Sequence, residues 1–186
     1  MKTPRTSRPS RWANGPSPEN RTALTQVMRG AAERLFSSLD PCPSYTGTFP
    51  VGETRWRDPL SALPFTGREV AGTLLFAAPM EFLSRTTPTG DQEVEDLLDW
   101  SREVANLLVG SLKTGLLKQG IVIELGIPTS FVGDNVRVAL PNEAAVGLLF
   151  ESGDHEVRVV LDAYVEHDVR IRTDEESRTS FDIMML

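Results

Sequence analysis

Apolar residues recur at intervals of three and four residues in two long segments of the chain. In the first segment they are Leu24, Val27, Met28, Ala31, Leu35 and Leu39. In the second segment they are Leu97, Leu98, Val104, Ala105, Leu108, Val109, Leu112 and Leu116. Such spacing places apolar side chains along one face of a helix. It predicts an amphipathic helix over residues 22–39 and a second, longer helix that carries the second set.

The second helix has start and stop signals of opposite charge. Three acidic residues follow the sequence Thr-Gly-Asp at residues 89–91, and two lysines precede Gly120. Each charge lies near the helix end whose partial charge attracts it. The sequence therefore predicts a long helix that begins near residue 91 and ends before Gly120.

The remaining apolar runs are short, as is typical of strands. Residues 69–78 predict a buried strand, followed by a turn or brief helix that reaches residue 83. Further strand-like runs cover residues 121–127, 135–140, 144–151 and 156–166. The links between them are short and rich in turn residues, which predicts antiparallel neighbours. Residues 41–68 contain five prolines and are predicted as an irregular connector. The expected fold is α+β, with a mostly antiparallel sheet packed against two main helices.

The two ends of the chain differ in composition from the middle. Residues 1–20 hold four basic residues among several prolines and almost no apolar side chains. This composition predicts a disordered basic tail. The folded domain is expected over residues 21–167, and residues 168–186 are either a final edge strand or a loose tail.

Overall composition narrows the function classes. The chain has 186 residues, of which 40% are hydrophobic and 24% charged, as in an ordinary globular domain. Its formal net charge of −7 argues against nucleic acid or an anionic membrane as partner. No apolar run approaches the roughly 20 residues that span a bilayer, and the single cysteine, Cys42, cannot form an internal disulfide. A cytoplasmic protein is expected.

The long helix leaves a narrow polar stripe outside its apolar arc. The stripe consists of Asp99, Glu103, Asn106 and Gly110, whose spacing of four, three and four stacks them on one face. Glycine costs about 1 kcal/mol inside a helix, and only a close approach to the backbone would justify Gly110. Periodicity also fits a second interpretation, in which the stripe is the solvent-exposed side of a core helix.

The stripe and its surroundings resemble a known motif. The pattern Asp99-x3-Glu103-x2-Asn106-x3-Gly110, with Pro128 downstream, is similar to that of the CheC/CheX/FliY phosphatases. The run from Glu103 to Gly110, followed by Lys113-Thr114 and Gly120, is close to the CheX form. Ser111 stands where that family often has asparagine. The resemblance covers about residues 25–165 and implies a CheX-like fold.

The resemblance also implies a reaction and a role for each residue of the stripe. The activity would be hydrolysis of the aspartyl phosphate on a CheY-like response regulator. Asn106 would orient the attacking water, as amide side chains do in GTPases. Glu103 would dock to the active-site lysine of the regulator, with Asp99 in support and Gly110 giving clearance. The chain would need no metal or cofactor of its own, because the regulator supplies Mg²⁺.

A homodimer is a further implication of the resemblance. One copy of the motif is found on a predicted long helix of this chain, whereas CheC-like relatives carry two, so the similarity points to CheX and its homodimer. An independent pattern points the same way. Val157, Val159, Leu161 and Val165 alternate along one predicted strand, which would invite pairing with a second chain if its edge were open. The competing possibility is that residues 181–186 form an edge strand and keep the chain monomeric.

Two other functions remain open from the sequence. One is a non-catalytic module of the same fold that binds a response regulator or another signalling protein. Asn106 is the feature against it, because docking alone does not require that amide. The other is a structural domain without a regulator partner, which would leave Gly110 unexplained.

Overall fold

A computed structural model describes residues 15–52, 55–88, 90, 93–140, 142 and 144–173. The helices are α1 (Pro18–Phe36), α2 (Met80–Thr86) and α3 (Val94–Leu117). The strands are β1 (Ser44–Phe49), β2 (Arg55–Trp56), β3 (Leu60–Gly67), β4 (Val70–Ala77), β5 (Ile123–Leu125), β6 (Thr129–Phe131), β7 (Val136–Arg137), β8 (Val146–Ser152) and β9 (His155–Val165). Within the described ranges, no helix combines the length and apolar content needed to cross a membrane.

Seven strands form one antiparallel sheet. Its order is β1-β8-β9-β4-β3-β5, and β6 pairs with β3 beside β5, while β2 and β7 form a separate pair. Helix α1 packs over β1 and β8, and α3 packs over β3, β4, β5 and β6. The main core lies between these helices and the sheet. The predicted α+β fold, with a mostly antiparallel sheet and two main helices, is confirmed.

The opposite face of the sheet, here called the far face, has its own smaller core. Side chains alternate between the two faces along each strand. Leu60, Leu75 and Val160 point away from the helices and are buried against Trp56 of β2 and residues around β7. The far face is thus partly covered by chain segments rather than by a helix.

The predicted connector over residues 41–68 is wrong, because this region contains β1, β2 and β3. Proline is tolerated in β3 for a geometric reason. The carbonyl of Pro64 accepts from the backbone N–H of Gly126 at 2.8 Å, and the N and O atoms of one strand residue point to the same side. The missing N–H of Pro64 therefore faces the gap between β5 and β6, and pairing with β4 is intact.

The pairing of the later strands also departs from expectation. Among β5 to β9, only β8 and β9 form a hairpin of sequence neighbours. Strands β5 and β6 both pair with β3, and β7 pairs with β2. Short links predicted successive antiparallel neighbours, but an apolar run does not specify which distant strand completes its hydrogen bonds.

Strand β9 is not an edge. It lies in the middle of the sheet between β8 and β4, so its alternating apolar residues are covered within the chain. The predicted pairing of this strand with a second chain is wrong for that reason. The homodimer now rests on the resemblance alone, and residues 181–186 lie outside the described residues.

The folded unit extends beyond the predicted 21–167 at both ends. Helix α1 begins at Pro18, and the Ser17 hydroxyl caps it by accepting from the N–H of Asn20. The buried Asn20 side chain donates to the Val169 carbonyl at 2.8 Å and accepts from the Ile171 N–H at 2.8 Å. These bonds tie the start of α1 to residues placed in the predicted C-terminal tail. Residues 1–14 and 174–186 lie outside the described ranges.

Candidate functional site

Helix α3 is held at a fixed rotation about its axis. Its buried residues are Leu97, Ser101, Val104, Ala105, Leu108, Val109, Leu112 and Leu116. Polar anchors flank this apolar face. The hydroxyls of Ser101 and Ser61 lie 2.7 Å apart, and the Trp100 Nε1–H donates to the Thr86 hydroxyl of α2 at 3.1 Å. These contacts determine which side chains of α3 face outward.

The stripe lies on that outward side. Asp99, Glu103 and Asn106 are exposed, and Gly110 is partly exposed. At 100° per residue the four positions fall within about 60° of the helix circumference, and at 1.5 Å per residue they extend over about 16 Å. The structure therefore brings together all four predicted site residues in one line on the surface.

Two side chains of the stripe have no partner within the described part of the chain. Neither Glu103 nor Asn106 makes a hydrogen bond or ion pair with another described residue. Asp99 differs, because it forms an ion pair with Arg102 one turn further along α3. A carboxylate that can pair with a cation thus lies one turn from an amide that can both donate and accept. Asp99 is already engaged within the helix.

The two glycines of α3 have different surroundings. A Cβ atom built on Gly115 would lie 3.2 Å from Cγ1 of Val27 in α1, so the close packing of the two helices accounts for this glycine. A Cβ on Gly110 would meet nothing within 4 Å. Packing among the described residues therefore accounts for Gly115 and gives no reason for Gly110.

Charges are unevenly distributed along the exposed side of α3. Glu95 and Asp96 are exposed near its N-terminus, before Asp99 and Glu103, whereas Lys113 is exposed in its C-terminal half. The first half of the surface is therefore acidic. A partner that binds there would present positive charge.

Sequence reasoning missed two exposed apolar residues, one on α3 and one in a link between strands that contact α3. Leu107 is 39% exposed and lies one turn after Glu103, while Ile127 is 83% exposed in the link between β5 and β6. Both of those strands contact α3. The signal for Leu107 was its position outside the apolar arc. Ile127 precedes Pro128 of the predicted motif, and only the pairing of β5 and β6 with β3 brings this link to the side of α3.

Metal ligands do not cluster in the described ranges. No group of three or more histidine, cysteine, aspartate or glutamate residues there could hold a metal ion. The expectation that the chain needs no metal of its own stays a prediction.

Comparison with known proteins gives structural matches only. No protein-family model matches the chain. No curated protein sequence matches it either.

Several solved structures share the fold across nearly their whole length. CheX from Vibrio vulnificus matches with a TM-score of 0.63 at 13% identity, covering 77% of this chain and 97% of that one. A chain of the CheX–CheY–BeF3–Mg²⁺ complex from Borrelia burgdorferi matches with a TM-score of 0.55 at 14% identity, covering 78% and 97%. The FliM middle domain from H. pylori matches with a TM-score of 0.52 at 13% identity, covering 81% and 94%.

These similarities cover about three quarters of this chain or more. At such low identity they define the fold and leave the roles of individual residues to chemical reasoning. The chain has a CheX-like fold.

Proposed function

We propose that this protein is a phosphatase that hydrolyses the aspartyl phosphate of a CheY-like response regulator. The fold supports the proposal, and so does the existence of a CheX–CheY complex among the structures that share it. The single observation that carries it is Gly110. This glycine lies in the same line on α3 as Glu103 and Asn106, and packing among the described residues gives no reason for it.

Asn106 supplies the catalytic group in this proposal. An aspartyl phosphate is an activated acyl phosphate, and the Mg²⁺ and lysine of the regulator neutralise the charge that develops on the phosphoryl oxygens. What remains is to hold a water molecule in line with phosphorus, which an amide can do by accepting from the water. A hundredfold acceleration requires only about 2.7 kcal/mol of transition-state stabilisation. The exposed and unpartnered amide of Asn106 is available for this role.

Glu103 positions α3 on the regulator. Its carboxylate would pair with the active-site lysine of the regulator, so it is a docking residue rather than a general base. Within the described part of the chain no cation neutralises Glu103, whereas Asp99 is held by Arg102. Asp99 therefore has the smaller role of adding negative charge beside the docking site.

Gly110 provides clearance at the end of the stripe. Without a side chain, the surface of α3 is lower here by about the radius of a methyl group. A loop of the regulator could then contact the helix backbone while Glu103 and Asn106 reach its phosphorylation site. The Mg²⁺ in this reaction belongs to the regulator, and the protein itself contributes no cofactor.

The proposal extends to location and assembly. Response regulators act in the cytoplasm, so the phosphatase would act there as well. We retain the homodimer, which would carry two stripes per particle. Light scattering at micromolar concentration should give twice the 20.5 kDa of one chain, and a value near 20.5 kDa would show a monomer.

Timed loss of phosphate tests the activity. A purified CheY-like regulator is phosphorylated on its aspartate, and its dephosphorylation is followed with and without a small amount of this protein. The wild-type protein should accelerate the loss, and Asn106→Ala should lose about a hundredfold of that acceleration while still binding. Gln26→Ala is the matched control, because it removes an exposed amide from α1. An Asn106→Ala variant with the wild-type rate would refute the mechanism.

A non-catalytic regulator-binding module is the second candidate. The occurrence of the fold in a FliM middle domain favours it, because one fold can carry several functions. In that case the wild-type protein would bind the phosphorylated regulator without changing the rate of phosphate loss, and Asn106→Ala would change neither quantity.

A further inference from the structure

The far face of the sheet holds a second feature that the phosphatase proposal does not use. A pocket of about 810 Å³ lies over β3, β4 and β9. Its floor includes Ala62, Ala71 and Leu75, and residues 136–140 cover one side. The volume is within the range of about 300–1,000 Å³ that is typical of small-molecule sites, and apolar walls with few polar groups are typical as well.

One charged residue lies at the floor of this pocket. Asp162 of β9 sits opposite Thr73 of β4 and is only 3% exposed. Its Oδ1 atom is buried and has no hydrogen-bond partner among the described residues. Burial raises the pKa of Asp162, and the side-chain amide of Asn142 partly opposes that rise. The carboxylate is thus incompletely satisfied by the chain around it.

The fold alone gives no reason for a carboxylate at this position. A buried carboxylate oxygen without a donor is unfavourable, and an apolar residue of similar size would suit the centre of a sheet better. Arg137 is the basic side chain among the described lining residues, but it is exposed on β7 and forms no ion pair with Asp162. A positively charged group from outside the chain would satisfy Asp162.

We propose that this pocket binds a small organic amine, with its ammonium group on Asp162 and its apolar body against β3 and β4. The ammonium would donate to the unpartnered Oδ1 atom. Thr73 lines the pocket opposite Asp162 and offers a further oxygen atom. The apolar part of the ligand would displace water from the alanine and leucine side chains of the floor. This site is separate from the stripe, which lies on the outer side of α3.

Three probes of equal chain length test the proposal. Hexylamine, hexan-1-ol and hexanoate differ only in their polar group, and their binding to the full-length protein is measured at pH 7 by calorimetry and by NMR titration. Hexylamine should bind at least about tenfold more tightly than hexan-1-ol, because only the amine can form a charge-assisted hydrogen bond with Asp162. Hexanoate should bind most weakly, since its charge is repelled.

Three variants locate the site. Asp162→Asn keeps the shape of the side chain and should reduce the affinity for hexylamine to that for hexan-1-ol. It should also raise the midpoint of thermal unfolding, because no charge is then buried. Ala71→Trp fills the pocket and should prevent binding of all three probes while Asp162 stays in place. Arg137→Gln is the control, and it should not weaken hexylamine binding.

Each alternative has its own result. Equal affinity for hexylamine and hexan-1-ol would mean a merely apolar pocket, and unchanged hexylamine binding by Asp162→Asn would place the amine elsewhere. Failure of all three probes to bind would mean that no amine site is accessible, whether the protein is a monomer or a dimer. Any of these results overturns the proposal, and none depends on the phosphatase activity.

Discussion

The inner and outer sides of α3 differ in whether neighbouring residues explain the side chains found there. On its inner side, neighbours account for the residues: Leu108 lies in the main core, Ser101 bonds to Ser61, and Gly115 makes room for Val27 of α1. On its outer side, Glu103 and Asn106 have no partner among the described residues, and Gly110 has open space around it. The contrast separates residues that the fold requires from residues that it does not, and only the second group needs a functional explanation.

The largest expected effect distinguishes two adjacent leucines. Leu108 is fully buried, whereas Leu107 is 39% exposed. Leu108→Ala should lower the free energy of unfolding by about 2–5 kcal/mol, because it leaves a cavity in the core. Leu107→Ala should lower it by less than about 1 kcal/mol. Urea denaturation of both variants provides the measurement, and similar losses would mean that the rotation of α3 is different from the one described.

The next effect concerns charge on the outer side. Glu103→Lys should weaken binding to the phosphorylated regulator by at least about tenfold, and Glu103→Ala by less, because reversal adds repulsion to the loss of an ion pair. Asp154→Lys is a matched control, since it reverses an exposed charge in the β8–β9 turn. Fluorescence anisotropy of a labelled regulator gives the affinities. If Glu103→Lys and Asp154→Lys have equal effects, only overall charge matters and Glu103 is not a docking residue.

The smallest expected effect on stability is the one that tests the difference between the two sides of α3 most specifically. Gly110→Ala should raise the free energy of unfolding by about 0.5–1 kcal/mol, since alanine favours a helix and nothing opposes its Cβ. The same substitution should reduce phosphatase activity, because the added methyl group occupies the space that the regulator needs.

Gly115→Ala is its internal control. Its Cβ would press on Val27, so the gain in stability should be smaller or reversed, while phosphatase activity stays unchanged. Thermal unfolding and timed phosphate loss on both variants separate the two outcomes. Equal behaviour of the two variants would remove the distinction between the inner and the outer side of α3.

The sequence was most informative for α3, where the helical period alone determines which residues share a face. The apolar arc of α3 predicted its buried face and placed Asp99, Glu103, Asn106 and Gly110 together on the other side, as the structure has them. It could not predict that Asp99 pairs with Arg102, since a carboxylate three residues before an arginine has many other arrangements. It also could not show that Gly110 and Gly115 differ in their surroundings, which required the positions of atoms distant in sequence.

Pairing between strands distant in sequence was the main feature that the sequence could not predict. Pro64 made β3 resemble a loop, because its tolerance depends on the gap between β5 and β6 on the other side of that strand. The alternating apolar residues of β9 fitted either an edge strand or a central strand. Its central position follows only from its pairing with β4 and β8. Asn20 was placed in a tail because its partners, Val169 and Ile171, are about 150 positions away in the chain.

The measurement that tests the central claim most directly is an NMR titration of the labelled protein with a CheY-like regulator held in its active form by beryllofluoride and Mg²⁺. If the outer side of α3 is the working surface, the largest changes in backbone and side-chain amide signals should fall on Glu103, Asn106, Leu107 and Gly110. Signals from the β8–β9 turn and from the far face should change little. Changes concentrated on the far face, or none on α3 at saturation, would contradict the account.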